Sequence, residues 1–197
     1  MGDKSIRKKQ YIVDTAKQVF IEKGFKNVTM KDIVEKCGIS RGGLYLYFGS
    51  TEEVFEEVIR QNGGGAEKFW DRISDETSAA DLLLLFLREH KNAILKGEEA
   101  LTQAAYEYYF ANREVAEKEN ILKGQFEISV EIVTKLLEIG VRNGDFICED
   151  LDSTAKGIMY RVEGMRITAQ TMGITEETID RQILSVLHGL HNNPDTK

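Results

Sequence analysis

Apolar residues recur at every third or fourth position along most of the chain, and nowhere do they alternate with period two. Over residues 5–23, Ile12, Ala16 and Phe20 form an i, i+4, i+8 stripe that Val13 and Val19 broaden, which predicts an amphipathic helix. Gly24 is placed to stop it, with Phe25 packing back. Val28, Met30, Ile33, Val34 and Cys37 give a second, short stripe behind Thr29, whose hydroxyl suits an N-cap. Gly38 then offers a left-handed stop, Ile39 is expected to be buried in the turn, and Ser40 caps a third helix opening at Arg41. Leu44 and Phe48 lie four apart on its inner side, and Gly49 is read as its end. Ser50 or Thr51 caps a fourth helix, because Ser50-Thr51-Glu52-Glu53 resembles a capping box; Val54, Phe55, Val58 and Ile59 are its buried stripe.

Asn62-Gly63-Gly64-Gly65 interrupts the periodicity and reads as a flexible joint. No strand precedes the glycines and no Lys-Ser/Thr follows them, so they do not make a phosphate-binding loop. Helical period resumes over 67–74, with Phe69 and Trp70, and over 78–95, apolar on almost every side through residues 82–87. It continues over 98–111, over one long helix from 113 to 141, over 152–172 and over 176–191. A single proline, Pro194, agrees with long uninterrupted helices. The expected fold is all-α with about nine helices. Residues 1–50 form an N-terminal three-helix domain, 51–62 a connecting helix, and 63–197 a second helical domain.

Charge sharpens this division. The 197 residues carry a net charge of −7, but residues 1–49 hold ten Lys and Arg against five Asp and Glu, and the remainder is strongly acidic. A basic head on an acidic body is the distribution of a nucleic-acid-binding module attached to a separate domain. Lys4, Arg7, Lys8 and Lys9 form a basic arm that either contacts phosphates or is a solvated terminus. Cys37 and Cys148 make neither a disulfide framework nor a metal spacing. His188 and His191 stand at i, i+3 with no cysteine to complete a metal set. No apolar run reaches about eighteen residues, and the N-terminus lacks a secretion-signal core, so a cytoplasmic protein without a membrane partner is expected. No nucleophile–base motif recommends catalysis, and no cofactor is implied.

Two short helices joined by a tight turn over residues 28–48 have the build of a helix-turn-helix, whose second helix enters the DNA major groove. Ile12-x3-Ala16-x3-Phe20-x3-Gly24-Phe25, Thr29-x3-Ile33, and Gly38-Ile39-Ser40-x2-Gly43-Leu44-Tyr45-x-Tyr47-Phe48 resemble the N-terminal domain of TetR-family (tetracycline-repressor-type) transcriptional regulators. The resemblance covers about residues 8–60. Further along, Gly140-x3-Gly144-Asp145-Phe146 followed by Asp152 resembles the family's turn into its eighth helix. It implies a homodimer paired through the last two helices, a small-molecule effector in the body of each subunit, and a repressor released from a pseudo-palindromic double-stranded DNA operator. Carried over by position, Thr29 holds a phosphate, Ser40, Arg41, Gly42 and Gly43 lie at the groove floor, and Tyr45 and Tyr47 reach phosphates or base edges. Lys8 and Thr51 join them. Many members carry lysine where this chain has Thr51, which keeps a hydroxyl and loses the charge. Arg41 has the fork geometry for guanine O6 and N7, and the glycines remove side chains where the helix must come close.

In the body, Trp70, Phe86, Tyr106, Tyr109, Phe110, Phe126, Met159 and Tyr160 are candidates to line the effector pocket, or else belong to the core. Arg161, Glu163 and Arg166, on an otherwise apolar helix, either face a ligand, pair with one another or meet the other subunit. The competing functional reading is a ligand- or protein-binding helical module whose helix-turn-helix no longer reads DNA.

Overall fold

A computed structural model describes residues 3–61, 77–96, 100–118 and 120–191. Ten helices lie among them: α1 Asp3–Lys23, α2 Met30–Cys37, α3 Arg41–Tyr45, α4 Thr51–Gln61, α5 Ala79–Lys96, α6 Ala100–Ala111, α7 Arg113–Lys118, α8 Ile121–Asn143, α9 Leu151–Thr171 and α10 Glu176–His191. The helix expected over 67–74 and the glycine run at 63–65 fall outside the described residues.

The chain forms two compact units, one running to Gly63 and including Ala100–Leu122, the other Gly64–Glu99 with Lys123–Lys197. The sequence division near residue 62 places residues 100–122 with the second domain; by their contacts they lie with the first. The cause is α6. Its Leu101, Ala104, Ala105, Tyr108 and Tyr109 are buried in one core with Ile12, Ala16 and Phe20 of α1, Ile33 of α2, Leu44 of α3 and Phe55 of α4. Tyr108 meets Phe25 edge-on at 4.9 Å, and Phe55 lies 4.7 Å from Phe20. Aromatic pairs of this geometry add roughly 0.5–1.5 kcal/mol each beyond the area they bury. Gly24, left-handed at φ 72, lies under Glu107 of α6, whose carboxylate accepts the Lys26 backbone N–H at 3.2 Å.

In the second unit, Leu83 of α5, Val133, Leu136 and Leu137 of α8, Met159 of α9 and Ile179 of α10 are among the most deeply buried residues of a separate core. The turn after α8 follows from two glycines. Gly144 is left-handed at φ 82, and a Cβ on Gly140 would lie 2.0 Å from the Phe146 ring, so only glycine lets that ring fold back.

Several boundaries move from their expected places. The single helix expected over 113–141 is two, α7 and α8, separated around Asn120. The ninth helix is capped by Asp150, which accepts the Ser153 N–H at 2.9 Å, rather than opened by Asp152. The third helix closes at Tyr45, before Gly49, and Ile39 is only partly buried. No described helix is long and apolar enough to cross a membrane.

Candidate nucleic-acid interface

Both ends of α2 and the start of α3 are closed by the side chain or glycine the sequence supplies. Thr29 Oγ1 accepts the Asp32 N–H at 3.4 Å, and the Asp32 carboxylate accepts the Thr29 N–H at 2.8 Å and its hydroxyl at 2.6 Å. Lys23 also bonds Asp32; this bond, then those from Thr29, hold the Asp32 carboxyl far below the usual carboxylate range. Gly38 at φ 63 ends α2 and returns its N–H to Glu35 and Val34. Ser40 Oγ accepts the Gly43 N–H at 3.1 Å and starts α3.

The helix so positioned is short, and its outward residues are those the sequence singled out. Arg41, Gly42 and Tyr45 are exposed, with the Arg41 guanidinium 5.7 Å from the centre of the Tyr45 ring. Tyr47 is half-buried and accepts a 3.4 Å hydrogen bond from the Ser5 hydroxyl. The two glycines differ. A Cβ on Gly43 would come within 3.1 Å of Ser40 Oγ and 3.8 Å of Lys8 Nζ, so the fold itself crowds that position. A Cβ on Gly42 would meet nothing within 4 Å. Gly42 therefore gives up about 1 kcal/mol of helix propensity that nothing inside the protein demands.

The basic arm belongs to α1 rather than preceding it. Lys8 is exposed, and its ammonium lies beside the start of α3. Arg7 bonds Asp3 at 2.6 Å, and Lys9 turns inward, 3.1 Å from Glu57 and 5.4 Å from the centre of the Phe48 ring. Thr29 has both its hydroxyl proton and a lone pair engaged in the α2 cap. Thr51 is the first residue of α4, partly buried; Ser50, not Thr51, accepts the Glu53 N–H. The periodicity missed Leu46, which lies between the two tyrosines and is 81% exposed, more than any other large apolar side chain described. Its signal was its place two residues after Leu44, off the inner stripe.

The body residues named for a ligand are divided between the two units. Trp70 lies outside the described residues. Tyr106, Tyr109 and Phe110 stand on α6 in the first unit, where Phe110 is 75% exposed and Tyr109 lines a cleft of ≈ 300 Å³. In the second unit Phe86 and Met159 are core residues, and Phe126 stacks on Tyr160 at 5.1 Å. Arg161 donates to Ser185 across α9 and α10 at 3.3 Å, and Glu163 pairs with Arg166. Arg166 in turn donates to His90 Nδ1 at 3.2 Å. Burial, and secondarily the Arg166 charge, push the His90 pKa down to about 4, so the ring is neutral at pH 7.

Comparison with known proteins adds the family. Residues 12–58 match the model of bacterial regulatory proteins of the tetR family, and residues 82–180 match the tetracyclin repressor-like C-terminal domain. The HTH-type transcriptional regulator YfiR of Bacillus subtilis is 33% identical over 135 residues, 68% of this chain and 66% of the relative. The fatty acid metabolism regulator protein of Bacillus subtilis is 26% identical over 188 residues, 92% of this chain and 94% of the relative. The structure of the transcriptional regulator FadR from Bacillus subtilis in complex with stearoyl-CoA superposes with a TM-score of 0.64 at 20% identity, covering 91% of this chain and 95% of that one. A capped helix-turn-helix with Arg41 exposed and two matching family domains make one assignment: the chain belongs to the TetR family and is a DNA-binding transcriptional regulator.

Proposed function

We propose that the protein is a repressor acting as a homodimer, with α3 of each protomer in a major groove of a pseudo-palindromic operator. The observation that carries this reading is Gly42, an exposed helical glycine with open space where its Cβ would be. A groove floor is the surface that would fill that space. Arg41 reads a guanine edge, while Tyr45, Tyr47 and Lys8 hold the sugar-phosphate backbone. Ser40 and Gly43 build the helix start, and Thr29 and Thr51 act mainly through the local helix ends they form. Leu46 joins the set as an apolar contact for a thymine methyl.

Support for the dimer comes from α9 and α10. Tyr160, Ile167 and Leu184 are 65%, 46% and 50% exposed, and Gly157, Gly164 and Gly189 have open Cβ positions. Apolar side chains beside bare backbone on two long helices suit close helix packing against a second copy. A small-molecule effector in the second unit changes how the two α3 helices are presented and releases the operator. The FadR structure, which shares the fold, was determined with stearoyl-CoA bound.

The test is a salt titration of binding to the DNA upstream of the protein's own gene, with footprinting. Two protected half-sites about one helical turn apart and a steep fall of affinity with salt are expected. Binding that ignores sequence, or a single protected half-site, would reject the reading.

A further inference from the structure

Arg41 is held differently from the paired cations of the first unit. Arg7, Lys9, Lys23, Lys36 and Arg60 each lie against a carboxylate, that of Asp3, Glu57, Asp32, Glu22 and Glu57 in turn. Arg41 has no such partner among the described residues; its guanidinium lies over the Tyr45 ring, 5.7 Å from the centre. The difference has a chemical consequence. A carboxylate would take the pair of N–H groups that a guanine edge needs, and DNA would have to displace it. A ring attracts the cation as a whole through its negative face and claims no particular N–H, so the fork stays open.

Spacing explains why Tyr45 can do this and its neighbours cannot. On a helix the residues three and four positions on share a face, and a long side chain leans back towards the N-terminus. From Arg41 those positions hold Leu44, fully buried in the core, and Tyr45, which is 43% exposed. Gly42 and Gly43 between them carry no side chain. Tyr47 is half-buried and held from α1 by the Ser5 hydroxyl. Without the Tyr45 ring, the Arg41 side chain would swing over bare backbone and lose that freedom only when DNA arrives.

We infer that Tyr45 is a positioning residue that sets base specificity: its ring holds the Arg41 guanidinium in the free protein, so that Arg41 meets a guanine edge with its fork already placed. The inference rests on the groove reading of Arg41 above. It goes beyond that reading by giving the Tyr45 ring a task separate from that of the hydroxyl, which holds the DNA backbone.

Two measurements on the full chain test it. The first needs no DNA. In NMR spectra of arginine-labelled protein, the Tyr45 ring current is expected to displace the Arg41 side-chain protons upfield, an effect kept in Tyr45→Phe and lost in Tyr45→Leu. The second is competition between the footprinted upstream DNA and single-base variants of one half-site, read at the base pair whose preference Arg41→Ala relaxes. Tyr45→Phe is expected to weaken both duplexes alike and keep their ratio. Tyr45→Leu is expected to reduce the ratio about two- to fivefold, the worth of an exposed cation–ring contact. In an Arg41→Ala background neither change at Tyr45 should alter the ratio. No upfield displacement, an equal loss of ratio in the Phe and Leu variants, or a loss that persists without Arg41 would each overturn the inference. If Arg41→Ala relaxes no base pair, the groove reading fails and takes this inference with it. If Arg41→Ala relaxes one and Tyr45→Leu does not, only the role of the ring falls.

Discussion

The outward face of α3 and the outward face of α9 and α10 are both unfinished surfaces, but in opposite ways. Around α3 the backbone ends are closed by Thr29, Gly38 and Ser40 and by Leu46 and Tyr47 turning back, and what projects is Arg41, bare backbone at Gly42, tyrosines with polar tips and one apolar side chain, Leu46. Water satisfies such a face well. Helices α9 and α10 instead leave Tyr160, Ile167 and Leu184 about half in water, at roughly 1 kcal/mol of forgone burial per side chain. A face content in water can release its partner, whereas an apolar one is stable only when covered. The contrast fits a reversible partner at the first and, in the proposed dimer, a lasting one at the second.

The largest test attacks the lasting partner. Leu184→Glu places a charge on the apolar face, and analytical ultracentrifugation is expected to show monomers. Operator affinity should then fall by about 10²–10⁴, because the second half-site no longer binds intramolecularly. A dimer that survives the change would mean that the apolar face lies elsewhere. Next in size, Arg41→Ala should remove about 1–3 kcal/mol of operator binding and relax preference at one base pair, read by competition with single-base operator variants.

Acid separates the two units. His90 has a folded pKa of about 4, below the roughly 6.5 of an unfolded histidine. The stability it contributes is therefore present above pH ~6.5 and lost as pH falls towards 4, on the order of 2 kcal/mol once the ring's partial exposure is discounted. Asp32 in the first unit is also depressed, but its contribution is lost only as pH falls below about 4. Melting followed at pH 7 and pH 5 should thus lose stability in the wild type and much less in His90→Phe. Equal losses would remove His90 from the account. The smallest effect is the most discriminating. Gly42→Ala should raise the melting temperature slightly, by up to about 1 kcal/mol of stability, and yet weaken the operator complex. Improved stability with unchanged DNA binding would leave Gly42 without a reason.

The helices of the first unit were legible because each is punctuated locally. Gly24 and Gly38 are left-handed where the pattern requires it, and Thr29 and Ser40 cap where they stand. Boundaries that no capping residue marks were not. The early end of α3 depends on Leu46 and Tyr47 turning back onto Gly42 and Leu44, and Gly49 played no part in it. The break between α7 and α8 is held by the Ile121 N–H donating to Tyr109 at 2.8 Å, a contact with no trace in periodicity. The residues exposed along α3 were readable for the same local reason, lying within a few positions of a cap. The pocket residues were not, because an aromatic such as Met159's neighbour Tyr160 at a helical spacing looks the same whether it fills a core, lines a cavity or, as here, faces outward.

Tyr108 carries one more consequence, for anyone wishing to graft this reader onto a different sensor. Cutting after α4 would strip Phe25 and Phe55 of the ring that covers them and take Glu107 away from the Lys26 amide. A transplantable cassette is thus discontinuous: it must bring residues 100–111 along with the first sixty, and a chimera joined at the glycine run alone would inherit a specificity it could not keep folded.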